Sequence, residues 1–249
     1  MNQKTGAVKE ALTYFVKVLL TFTALQFIVV VLHEHTHSTM AWLLGFKRNP
    51  LEIVWGNPLM LTGWDEGVDY RAVFASGHPA AAALTGVSPL IAHAAIVIAG
   101  ILVLNTGAAR SRKWLFHILY WFVTANFMEL IAYINMRAFA EHGDIGIFNH
   151  GLGLSPWIVF TAGSLAVFYG LYALFSSVLP SAIAVFAAGN PLTGRMIIVM
   201  TAFLLFIWGS GMRVILACYP DPQWMFGLAG FIAFVAVIAF YRPVSSEKV

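Results

Sequence analysis

Residues 33–37 read His-Glu-His-Thr-His, directly after the apolar run at 15–32. Taken as His-Glu-x-x-His, the stretch supplies His33, Glu34 and His37. Four residues of α-helix turn through about 400°, which brings His37 back to the face of His33, one turn away. Two imidazoles so placed can share one metal ion, and Glu34 beside them can act as general base toward a water on that metal. Zinc suits the set, because it accepts imidazole and carboxylate ligands and lowers the pKa of a bound water to about 7. His35 lies roughly 200° around the helix from His33 and faces elsewhere. Ionisable groups at the end of an apolar stretch are costly to bury unless they are paired or hold a metal.

A catalytic zinc takes three protein ligands and keeps a fourth position open. The third must come from another part of the chain. Glu141, His142, Asp144 and His150 are candidates, all within AEHGDIGIFNHGLG at 140–153, and His78 is a further one. His93, His117 and Glu129 lie inside apolar runs and so at other depths than the helix end. Gly143 and Gly146 flank Asp144, so a helix can stop there and the backbone can bend inward.

The elements that carry these residues are membrane helices. Of the 249 residues, 60% are hydrophobic and 10% charged, with a mean hydropathy of +0.81. A soluble domain has about 25% charged residues, so this chain cannot cover a water-facing surface. A bilayer-spanning helix needs roughly 20 apolar residues. Six stretches qualify, at 11–32, 79–104, 114–136, 157–179, 196–218 and 224–241. The first has lysines before it but no small-residue cleavage site, and reads as an uncleaved span rather than a signal peptide. PSAIAVFAAG at 180–189 is too short to span and either lies at the interface or extends the fourth helix. The fold expected is therefore an all-α polytopic membrane protein of about six transmembrane helices, one membrane domain over 1–249.

The loop at 46–75 holds Pro50, Gly56, Pro58, Gly63 and Gly67 between short runs such as LEIVW. That pattern predicts a short β-rich loop between the first two spans, an edge that a peptide strand can join near Trp55 and Gly56. Asn126 and Glu129, one turn apart in the third span, read either as a functional pair or as a helix-to-helix hydrogen bond. Arg213 in the fifth span pairs with a carboxylate or reaches the interface, and Cys218 is a packing residue.

Net charge is +3, and the 14 lysines and arginines are scattered rather than gathered into a basic stripe, which argues against nucleic acid. The single cysteine excludes an internal disulfide framework and a multi-cysteine metal site within one chain. With six spans, the side carrying both termini holds nine of those basic residues and the opposite side five. The positive-inside rule then places both termini in the cytoplasm.

The stretch from His33 to Gly45, HEHTHSTMAWLLG, resembles the H-E-x-G-H-x-x-x-A-x-x-x-G helix of the site-2 protease-type (M50-like) intramembrane zinc metalloproteases. His33, Glu34, His37, Ala41 and Gly45 match; Thr36 stands where the family has glycine. The resemblance implies a third zinc ligand in a Leu-Asp-Gly motif, for which HGDIG at 142–146 supplies Asp144, with His142 and Gly143 in place of the leucine approach. GVSPLIAHA at 86–94 is similar to the family's Gly-Pro helix start, and Asn135 falls near its asparagine, a candidate substrate contact. The likeness covers about residues 20–150, the core of three helices; 151–249 would be accessory helices. It implies one Zn²⁺ per chain, held by His33, His37 and Asp144, with Glu34 as the catalytic base and a membrane-protein or peptide substrate in the bilayer. The alternative is a non-catalytic receptor or regulator that keeps the fold. A di-iron lipid oxygenase would need several histidine boxes, and this chain has one.

Overall fold

The computed structural model describes residues 3–57, 63–187, 189–212 and 223–242. The first helix, α1, runs Gln3–Leu43 without interruption. Its 41 residues contain no proline, and at 1.5 Å per residue it is about 62 Å long, twice the roughly 30 Å of a bilayer's hydrocarbon core. It ends where Gly45 adopts φ 83°, with Gly45 N–H donating to Trp42 O and Phe46 N–H to Ala41 O. The metal-type histidines therefore sit inside a helix, ten residues before its end at the first of them, and not at the helix terminus expected from the apolar run at 11–32. Nothing in His-Glu-His-Thr-His-Ser-Thr breaks a helix, so the first breaker decides where it stops.

After the short helix α2 (Tyr70–Ala75), capped by Asp69, α3 spans Pro79–Leu104 with proline in its first turn. A single-turn helix α4 (Gly107–Arg110) leads to α5 (Lys113–Leu130), which widens into a π-helical turn at Ile131–Met136. Next come α6 (Asp144–Leu152) and α7 (Pro156–Ala173). A second π turn, Leu174–Val178, joins α7 to α8 (Leu179–Ala187), so residues 180–187 extend the fourth membrane helix. The wide turn comes just before Pro180, whose missing N–H and ring a regular turn would not accommodate. Finally, α9 (Pro191–Ala202) passes into a π segment at Phe203–Met212, and α10 covers Gln223–Phe240.

Five helices are long and apolar enough to cross a membrane, as an all-α polytopic membrane protein requires. They are Thr5–Leu43, Pro79–Leu104, Lys113–Asn135, Pro156–Ala187 and Pro191–Gly209. The apolar part of α10, Met225–Phe240, falls short of that length, so the expected sixth span is a shorter helix among the described residues. Arg213 and Cys218 lie outside the described residues.

The expected β-rich loop does not form: no strand occurs among the described residues of 46–75. Val54 and Asp65 exchange one pair of backbone bonds, at 2.8 and 3.2 Å. Side chains occupy the groups a ladder would need. The Lys47 ammonium donates to the carbonyls of Glu52 and Glu66, Asn49 Oδ1 accepts from Leu51 N–H, and Asp65 Oδ1 accepts from Gly67 N–H.

The bundle is organised around α5, most of whose residues from Phe116 onward are buried; Phe116, Tyr120, Trp121 and Phe127 are all within the core. α1 and α3 pack on one side of it, and α6 lies against α3. The π segment after α9 also packs on α5, and Tyr120 Oη lies 2.7 Å from Oγ1 of Thr201, near the end of α9.

Candidate metal centre

Three side-chain atoms from two distant parts of the chain converge. His33 Nε2 and His37 Nε2, one turn apart on α1, are 3.2 Å from each other. Asp144 Oδ2, on the first residue of α6, is 3.0 Å from His33 Nε2 and 3.4 Å from His37 Nε2. Two glycines bring the carboxylate there. Gly143 turns the chain into α6 with φ 81°, a conformation that side chains rarely adopt. Gly86 on α3 lets α6 approach closely: a Cβ at that position would sit 2.9 Å from the Asp144 carbonyl oxygen and 3.1 Å from Ile147 Cγ2.

The far side of each imidazole is tied down, and the ties fix where the protons are. His37 Nδ1 lies 2.7 Å from the carbonyl oxygen of Thr85. A carbonyl only accepts, so Nδ1 carries the hydrogen. That carbonyl is available because the residue four positions on is Pro89, which has no N–H to give it within α3. Ser88 Oγ donates to the same oxygen at 2.8 Å. His33 Nδ1 is 3.1 Å from His93 Nε2, and His93 Nδ1 is 2.7 Å from Asn126 Oδ1. Asn126 uses its amide N–H on the carbonyl of Phe122 at 2.8 Å, which leaves Oδ1 as the acceptor. The protons then run one way: His93 donates to Asn126, so its Nε2 accepts from His33 Nδ1. The rings of His93 and Tyr133 stack on His33, at centroid distances of 5.3 and 5.1 Å.

As neutral rings, His33 and His37 both present a bare Nε2 lone pair to the point that Asp144 Oδ2 also faces. His33 and His37 are buried, and Asp144 Oδ2 has no hydrogen-bond donor. Three converging lone pairs repel one another unless a cation lies between them. Ligand bonds of about 2.0–2.1 Å at tetrahedral angles put ligand atoms about 3.3 Å apart. The observed spacings of 3.0, 3.2 and 3.4 Å are close to that, so the three residues can hold a metal ion. A proton can also relieve the convergence. Burial pushes the Asp144 carboxyl up, but the imidazoles of His33 and His37 outweigh it and hold the carboxyl below the usual carboxylate range.

Glu34 is half-buried beside the centre and within electrostatic reach of His33, His37, Asp144 and Glu66. His35 turns away, its Nδ1 on the Val31 carbonyl at 2.9 Å and its ring toward Trp55. Of the candidates for third ligand, only Asp144 reaches the histidines among the described residues. Glu141 and His142 are exposed, His150 packs on Phe74, and His78 pairs with Ser76. Asn135 donates to Ser164 Oγ on α7 at 2.7 Å and makes no bond to the centre. Trp55 is exposed and stacks edge-on with Trp64, with Gly56 next to it in the loop.

His93 corrects the sequence reading, which set it aside as lying at another depth. That inference assumed a centre at the end of α1. Because α1 continues to Leu43, His33 lies level with the middle of α3: His93 is about 21 Å from the start of that helix and about 16 Å from its end. Asn126 and Glu129 both make helix-to-helix bonds, Asn126 to His93 and Glu129 to Gln26 at 2.6 Å. Pro89 within the apolar run at 79–104 was the readable signal for an acceptor at Thr85.

Comparisons of the chain with protein families, with curated proteins and with solved structures found no match.

Proposed function

We propose that this protein is a zinc-dependent intramembrane endopeptidase, with His33, His37 and Asp144 as metal ligands and Glu34 as general base. The observation that carries the reading is the convergence of three proton-free ligand atoms beside a carboxylate, between the levels of Thr85 and His93 on the apolar helix α3. A soluble metallohydrolase has no reason to build such a centre there; an enzyme whose substrate is itself a membrane segment does. The resemblance of residues 33–45 to the site-2 protease-type metalloproteases points the same way.

Bound zinc supplies a Lewis acid that lowers the pKa of a water to about 7 and polarises a peptide carbonyl. The chain does the rest. Thr85 and His93 hold the two imidazoles in the ligand tautomer, and Asp144 offsets the metal's charge. Glu34 accepts a proton from the attacking water and delivers it to the leaving amine. The substrate would be an apolar segment of a membrane protein, unwound where its peptide bond meets the centre, with Trp55 and Gly56 as candidate contacts on the approach.

Glu34→Gln separates the steps. The variant should bind one zinc per chain, as the wild type does, and lose cleavage of reconstituted membrane-protein substrates by 10²-fold or more, on the order of a general base's contribution. Undiminished cleavage by that variant would sink the mechanism. Zinc without cleavage in either protein would favour a non-catalytic receptor or regulator built on the same centre.

A further inference from the structure

Far along the chain from the metal centre, α8, α9 and α10 border an open cavity of about 630 Å³. Its position in the membrane follows from the elements that bound it. The fourth span ends at Ala187, the fifth begins at Pro191, and α10 ends at Phe240. The cavity therefore lies at one membrane surface and runs inward between helices. The inner walls are apolar, formed by Ile183, Ala184, Ile198, Val199 and Ile238. Arg195, in the first turns of α9, and Arg242, just past α10, line the same cavity. No acidic residue is among the described residues that line it. The carboxylate of Glu10 comes near, but it accepts from Asn190 Nδ2 at 3.1 Å and is not part of the wall.

Two arginines sharing a cavity with no carboxylate among its described lining residues repel each other, and an anion relieves that repulsion. Apolar walls directly below them, at the depth where acyl chains begin, favour an anion with a hydrocarbon tail. Basic pockets between membrane helices bind anionic headgroups on these grounds, and the volume falls within the roughly 300–1,000 Å³ of small-ligand sites. We propose that this cavity binds one anionic phospholipid, its phosphate between Arg195 and Arg242 and an acyl chain along Ile198 and Ile238. The site stands apart from the peptidase reading and does not depend on it.

The test uses the full chain in detergent, offered equal amounts of dioleoyl phosphatidylglycerol and dioleoyl phosphatidylcholine, with retained lipids counted by native mass spectrometry. Wild type should retain one phosphatidylglycerol with a preference of roughly tenfold. Arg195→Gln combined with Arg242→Gln should remove the preference while zinc stoichiometry stays unchanged. Ala184→Trp, which fills the wall from an exposed position and keeps both arginines, should remove it as well. Equal retention in wild type and Ala184→Trp would overturn the proposal, because the lipid would then be held by surface charge outside the cavity. Displacement of the phospholipid by millimolar inorganic phosphate would also overturn it, since the site would then be one for a free anion.

Discussion

Replacing His93 with alanine tests the link between the bundle's packing and the metal centre. His93 touches no metal ligand atom; it accepts the Nδ1 proton of His33 and passes the orientation to Asn126. Without it, the buried His33 Nδ1–H has no acceptor, and an unpaired buried donor costs roughly 1–3 kcal/mol. His33 can escape that cost by moving its proton to Nε2, the atom that must stay bare for a metal. Either way the metal-bound state is the one penalised. Loss of a partner of this kind lowers metal affinity by about 10–100-fold, or about 1.4–2.7 kcal/mol, consistent with the hydrogen-bond range. The assay is a zinc titration of the detergent-solubilised chain against a competing chelator. His117→Ala is the matched control: that imidazole is also buried, but it bonds to Tyr14 and Thr21, away from the centre. It should leave zinc affinity within about twofold. His93→Gln, whose amide can accept from His33 and donate to Asn126, should recover part of the loss. Wild-type zinc affinity in a folded His93→Ala protein would refute the reasoning, and so would an equal loss in His117→Ala.

Three further outcomes follow from the same geometry. Pro89→Ala restores an N–H that competes with His37 for the Thr85 carbonyl, so thermal stability should rise while zinc affinity falls several-fold; changes of the same sign in calorimetry and zinc titration would contradict this account. Gly86→Ala pushes α6 and Asp144 off α3, and zinc affinity should drop by roughly tenfold or more; an unchanged dissociation constant would mean that the contact yields freely. Acidification should release zinc, because ligand imidazoles must be neutral and protons compete with the ion for their lone pairs. Asp144 adds to that release only at low pH. Its carboxyl is held below the usual range, so its contribution is complete above the ordinary carboxylate pKa and is lost only as pH falls through the lower value. Metal counts after dialysis that stay level as pH is lowered would contradict the histidine assignment.

Much of the centre was legible locally. The spacing of His33 and His37 places both imidazoles on one helical face whatever surrounds them, because helix periodicity is a property of the backbone. Low charge and long apolar runs determined a membrane protein of helices, and five of the expected spans appear at nearly the expected places. The glycines around Asp144 marked a bend that could bring a carboxylate inward, and α6 starts there. The bonds of the second layer were not legible. Whether His93 meets His33 depends on how far α1 and α3 overlap along their axes. That overlap follows from where α1 stops, at Gly45, and from how closely α6 seats on Gly86. No strand forms among the described residues of 46–75 for a related reason: Lys47, Asn49 and Asp65 reached backbone groups that β-propensity assigns to a ladder. Sequence alone determined that His33 and His37 could share a metal, since residue type and helical period are local; the fold selected Asp144 to join them. Tertiary structure decided which proton each imidazole carries, since that is set by acceptors 48 to 60 residues away that only packing brings within 3.1 Å.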